Sequence, residues 1–177
     1  EFSIIFIIIG FLIGDLAAYW SHRIAHRIPI IWDQHEFHHS ATEMTIFNKD
    51  RSSLLEGALT SPIVFPLSTI SALLINESLR QGHFLPLLIT IVLLTFEKFC
   101  DMVGHSSICV IFPKPLSYIY MSPSLHWIHH SNNIEHFDKN FGQRFPFWDK
   151  IFGTYLDESH IKNIDGFGVS NTTYNNF

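Results

Sequence analysis

Three apolar runs, residues 2–20, 59–76 and 84–103, constrain this chain more than any other feature. A helix rises ~1.5 Å per residue, so each run approaches the ~30 Å thickness of a bilayer's hydrocarbon core. Only 15% of the residues are charged, too few to clothe a large water-facing surface. An all-α, multi-pass bundle of at least three membrane helices is therefore expected. The first run has no basic leader and no small-residue cleavage site, so it reads as a span and not as a signal peptide. Pro62 and Pro66 interrupt the second run and predict a kink. A polar turn, residues 77–83, joins the second run to the third. The two make a hairpin that returns the chain to the side where residues 22–39 emerge. Of the 11 Lys and Arg, only Arg80 falls in the far turn. The excess of positive charge then places the near side in the cytoplasm.

That near side is crowded with histidine. His126-Trp-Ile-His129-His130 repeats the spacing of His35-Glu-Phe-His38-His39, and His22-Arg-Ile-Ala-His26 adds a pair at i, i+4. Positions i, i+3 and i+4 share one helical face, so each stretch presents its imidazoles in one direction. Neutral imidazole is a common ligand for transition metals. Asp15 and Tyr19 lie on the same face as His22 and His26, and are expected to support them. Glu97, Asp101 and His105 line up at intervals of four where the third run leaves the membrane. His136 follows the last cluster and is expected to bend back toward it. His83 and His160 lie in turns and read as surface residues. The candidate ligands are thus His22, His26, His35, His38, His39, His105, His126, His129, His130 and His136.

Ten imidazoles exceed the four ligands of closed structural zinc sites, which often use cysteine. Cys100 and Cys109 belong to no cluster and have no CxxC spacing. Two ions with about five nitrogens each, leaving a position open for oxygen, fit the count. A net charge of −5 without a basic run argues against nucleic acid.

The remaining stretches are connectors. Pro29 is expected to open a helix carrying His35 to His39, and Ser122-Pro123 to open the one carrying His126 to His130. Residues 41–56 read as a loop or surface helix and 107–121 as an interfacial segment. Residues 147–154 read as an aromatic packing lid, and 161–177 as a loose tail. The whole, 1–177, is expected to be one domain. It begins with Glu1 rather than Met, so an N-terminal segment is expected to be missing.

The chain resembles the fatty acid hydroxylase/sterol desaturase superfamily of integral-membrane, histidine-rich di-iron enzymes. The matching residues are the three histidine stretches, Gly104-His105-Ser106, Asp138-Lys-Asn140-Phe-Gly142 and Trp148-Asp-Lys-Ile-Phe-Gly-Thr-Tyr155. The resemblance runs over residues 10–155. It implies that His22, His26, His35, His38, His39, His126, His129 and His130 bind two iron ions, with zinc as a substitute. His105 matches an extra histidine between the second and third boxes. Where some members have HxxxH there, this chain has Asp101, so one further ligand falls to His136 or Asp101. The resemblance also implies O2, electrons from a redox partner such as cytochrome b5 or a ferredoxin, and a lipid product that is hydroxylated or desaturated. Asp15, Glu97, Asp101 and Asn140 are then expected to orient imidazoles by hydrogen bonds. An apolar substrate is expected to enter laterally from the bilayer.

Two rivals are weighed against this expectation. His35-Glu36-Phe-His38-His39 also reads as HExxH, a zinc metalloprotease pattern with Glu36 as base. The repeat at 126 has Trp127 in place of that glutamate, and one zinc leaves most histidines idle. A non-catalytic metal-binding or transport protein would place histidines along a path inside the spans, whereas here they gather beyond the span ends.

Overall fold

The computed structural model describes residues 2–169, and every regular element among them is helical. Helix α1, Phe2–Ala25, is built from the first apolar run. Ile28 is extended, as a residue before proline prefers, and Pro29 opens α2, Pro29–His39. A loop with one turn of 3-10 helix, Asn48–Asp50, leads to α3, Leu54–Arg80. This helix starts before the apolar run because the Ser53 hydroxyl accepts the Leu55 amide. Pro62 and Pro66 lie within it without ending it. The far turn is shorter than expected, since the helix holds to Arg80 and Gly82 turns the chain at a φ of 72°. Helix α4, Phe84–Gly104, comes back.

Helices α1 and α3 are the principal pair. Gly10 and Gly14 let them close up: a Cβ at Gly10 would sit 2.8 Å from Ile75, and one at Gly14 2.8 Å from the Ser71 hydroxyl. Ser71 Oγ donates across the pair to the Gly10 carbonyl at 2.7 Å. Small residues at such crossings let backbones approach where lipid offers no hydrophobic drive. Two helices, Ile4–Ala25 and Leu54–Arg80, are long and apolar enough to cross a membrane. Helix α4 carries Glu97, Lys98 and Asp101 in its last turns. Outward-facing residues of α3 and α4, such as Phe65, Leu73, Phe84 and Val92, are exposed, as lipid-facing residues would be.

Residues beyond α4 wrap the ends of α1 and α2. After α5, Lys114–Ser117, Pro123 opens α6, Pro123–His129. Ser122 has the extended backbone of an N-cap, but its hydroxyl donates to the Val110 carbonyl and accepts the Phe112 amide, tying down the preceding loop. A 3-10 turn, Ile134–His136, and α7, Phe147–Phe152, follow. The aromatic lid packs on α1: Phe152 stacks on Tyr19 at 5.2 Å and meets Trp20 at 5.1 Å. A last 3-10 helix, Glu158–Asn163, places Ile161 and Ile164 against the core of Met121, Leu125 and Ile128. The stretch expected to be loose from residue 161 is thus held as far as it is described. Phe167 forms an antiparallel bridge with Ser131, and residues 170–177 lie outside the described residues.

Candidate metal centre

Nine of the ten candidate histidines converge, in two adjoining sets. His22 and His26 at the end of α1, His35 and His39 on α2, and His129 on α6 form the first; His38, His105, His126 and His130 form the second. Within each set the ligand atoms lie within 4.8 Å of one another. The sets touch where the His39 and His130 rings stack at 4.3 Å. His38 joins the second set while its neighbours on α2 join the first, so α2 serves both. His136 joins neither. Glu36, the base a metalloprotease would need, also lies outside both sets.

The imidazoles are oriented from behind. His35 Nδ1 donates to Glu56 Oε1 at 2.9 Å, His129 Nδ1 to the Lys139 carbonyl at 2.8 Å, His22 Nδ1 to the Phe141 carbonyl at 3.1 Å, and His105 Nδ1 to the Asp101 carbonyl at 2.9 Å. A hydrogen on Nδ1 leaves Nε2 with its lone pair, the tautomer a metal takes. Nε2 of His35 and of His129 is buried without a partner. Burial first, and neighbouring imidazoles second, hold His26, His39, His126 and His130 well below the usual histidine value, so these rings are neutral near pH 7.

Nitrogen meets nitrogen across the second set. Nε2 of His105 lies 3.2 Å from that of His38 and 2.9 Å from that of His126, which lies 3.0 Å from that of His130. A ring nitrogen either donates one hydrogen or accepts one. Four nitrogens in a row therefore make at most two full hydrogen bonds, and the third contact is left unmatched. A cation among them removes the conflict. Two nitrogens ~2.05 Å from one ion lie ~2.9 Å apart at a right angle and ~3.3 Å apart at the tetrahedral angle. The observed spacings lean toward the right angle, which suits more than four ligands. The donor set therefore fits transition-metal binding.

The expected supporting carboxylates are placed differently. Asp15 accepts the backbone amides of Arg144 and Phe145 at 2.9 and 3.2 Å, and Tyr19 bonds Thr154 Oγ1 at 2.9 Å. Both hold the 144–154 wrap to α1 and not an imidazole. Glu97 receives Arg144 Nε at 2.7 Å and Gln143 at 3.1 Å. Asp101 supports His105 by its carbonyl, with its carboxylate 3.4 Å from Nδ1. Asn140, at a φ of 57°, accepts the Leu156 amide at 2.9 Å and donates to the carbonyls of Leu125 and Leu156, bracing the helix that carries the third box.

Two supporting residues went unread in the sequence. Glu56 ends the stretch that reads as a loop or surface helix, and it lies in the first turn of α3. Asp149 belongs to the Trp-Asp motif, but the motif alone gave it no role. It is fully buried and accepts the amides of Phe141 and Gly142 at 2.8 Å each and the Thr154 hydroxyl at 2.7 Å. It thereby fixes the Phe141 carbonyl that orients His22.

A cavity of about 450 Å³ opens on the sets from between the long helices. Ala18 of α1, Val64 of α3 and Cys100 of α4 line it beside His22, His38 and His126. A second cavity, of about 310 Å³, reaches His26, His39, His129 and His130 past Ile134 and Asp138.

A model of the fatty acid hydroxylase family matches residues 7–154. Alkylglycerol monooxygenase of Homo sapiens is 33% identical over 150 residues, which is 85% of this chain and 30% of that protein. Ornithine lipid hydroxylase of Rhizobium tropici is 26% identical over 159 residues, 90% of this chain and 44% of that protein. Very-long-chain aldehyde decarbonylase of Oryza sativa subsp. japonica is 26% identical over 163 residues, 84% of this chain and 23% of that protein. The chain thus spans less than half the length of these relatives. No solved structure matches it.

Proposed function

The chain belongs to the fatty acid hydroxylase family, and from that premise we propose that it is the metal-holding part of an enzyme that hydroxylates a lipid C–H bond with O2. The observation that carries this reading is the convergence of nine imidazoles into two adjoining sets, with members of both lining the cavity between the long helices. A pair of iron ions held there would supply O2 activation, with two electrons from an outside donor such as cytochrome b5 or a ferredoxin, one oxygen atom entering the lipid and the other leaving as water. His22, His26, His35, His39 and His129 would hold one ion, and His38, His105, His126 and His130 the other. Glu56 and the carbonyls of Asp101, Lys139 and Phe141 keep Nε2 of four of these rings free of hydrogen.

The cavity's walls come from α1, α3 and α4, so a lipid would reach it from the bilayer. On this reading α4 is a third span, and the histidines face the cytoplasm. The relatives named monooxygenase and hydroxylase favour oxygen insertion over desaturation. Protease and transport readings lose ground for separate reasons: Glu36 belongs to neither set, and the histidines form a compact centre instead of a path.

Lipid mass spectrometry tests the proposal. Cells carrying the complete gene gain lipids heavier by one oxygen atom over cells lacking it, and isotopically labelled O2 puts its label in the new hydroxyl. An unchanged lipid profile from protein with both metals in place, or label arriving from water, would overturn it.

A further inference from the structure

The histidines left outside both sets include two that the fold brings together. His136 ends the helix Ile134–His136, and His160 lies in Glu158–Asn163. Their rings are 5.9 Å apart and nearly perpendicular. His136 has no exposed surface, and neither of its ring nitrogens has a hydrogen-bond partner. Nδ1 of His160 is likewise buried and unpartnered. Buried polar atoms are ordinarily paired, and an orphan implies water or an ion. Three such nitrogens on two adjacent rings are a concentrated case.

The surroundings choose between these occupants. Glu135 and Asp165 lie close enough to act electrostatically on His136, and Asp157 interacts in the same way with His160. All three are acidic, which favours a cation. The frame is fixed without the rings: Asn133 caps the first helix by accepting the Glu135 amide at 3.0 Å, and its Nδ2 donates to the Asn163 carbonyl at 2.9 Å. The elements carrying the imidazoles are therefore tied directly to one another.

We propose that His136 and His160 bind one divalent transition ion of the imidazole-preferring class, zinc, copper or nickel, at a site separate from the two histidine sets. Two imidazoles would supply the protein nitrogens, and water or a nearby carboxylate the remaining positions. The ion would pin the last described helix to the segment that follows the third histidine box. Its role is structural, and it does not depend on the hydroxylase reading.

Zinc titration of the purified chain in detergent, against a chromophoric chelator, tests the site. Wild type and His160→Asn both keep the nine clustered histidines, so their difference reports this pair alone. The wild type takes up one zinc equivalent more than H160N. His136→Gln loses the same equivalent, and the double variant loses no more than either single one. His160 is partly exposed, so H160N retains the fold, which circular dichroism checks. Equal zinc uptake by wild type and folded H160N would mean that a buried water fills the space, and would overturn the proposal.

Discussion

Glu56 offers the sharpest handle on the centre, because it belongs to neither histidine set and holds His35 from behind. Its Oε1 accepts from His35 Nδ1 at 2.9 Å, and both side chains are largely shielded from water. A hydrogen bond to a charged group contributes about 1.5–3 kcal/mol. Removing it in Glu56→Ala frees the ring to rotate or to move its hydrogen to Nε2, the atom that faces the metal. Loss of such a supporting partner typically lowers metal affinity about 10–100-fold, or about 1.4–2.8 kcal/mol at ~1.36 kcal/mol per factor of ten. The two magnitudes agree. Glu56→Gln keeps an acceptor oxygen but not the charge. Neutral hydrogen bonds are about half as strong, so roughly half of that free energy is lost, a fall of about fivefold. Iron affinity measured by competition with a chelator should rank wild type above Gln and Gln above Ala. An Ala variant with wild-type affinity would refute the reasoning, as would a Gln variant weaker than Ala.

Asp149→Asn should destabilise the protein by about 1–3 kcal/mol, read as a lower thermal midpoint, because an amide NH2 would face a backbone amide where a carboxylate oxygen now accepts. Gly10→Ala should destabilise by about 1–3 kcal/mol through overpacking, since its Cβ would lie 2.8 Å from Ile75. Gly57→Ala in the same bundle, with nothing within 4 Å of its Cβ, should be neutral or gain up to ~1 kcal/mol of helix stability; equal losses at both positions would contradict the close crossing of α1 and α3. The metal-free protein should lose stability on acidification. His26, His38, His39, His126, His129 and His130 are held below their usual 6.5, so the unfolded chain binds more protons than the fold once pH drops through that value. Their contribution is full above it and lost below it, and a denaturation midpoint that stays flat across this range would count against burial of the cluster.

The sequence disclosed the centre because helical spacing is rigid. Residues at i, i+3 and i+4 share a face whatever surrounds them, so the gathering of His35, His39, His126 and His130 was legible. The placement of His136 was not: expected to bend back to the cluster, it lies on a short helix capped by Asn133 that carries the ring toward His160. Glu56 was hidden by a boundary: the Ser53 cap draws residues from a polar stretch into the first turn of α3. The acids on α1 and α4 were visible as unusual, but their partner was not. Arg144 lies far along the chain from both Asp15 and Glu97, and no local periodicity connects them. The membrane helices were partly legible. The first two runs became α1 and α3, whereas the charges at the end of α4 mark where the third run turns into site wall.

The central claim is that this fold holds two metal ions side by side. Iron analysis of the purified chain, loaded anaerobically and freed of excess, tests it most directly. The account predicts two iron equivalents per chain, with His105→Ala weakening one and leaving the other. A single equivalent in the wild type, or none, would contradict it.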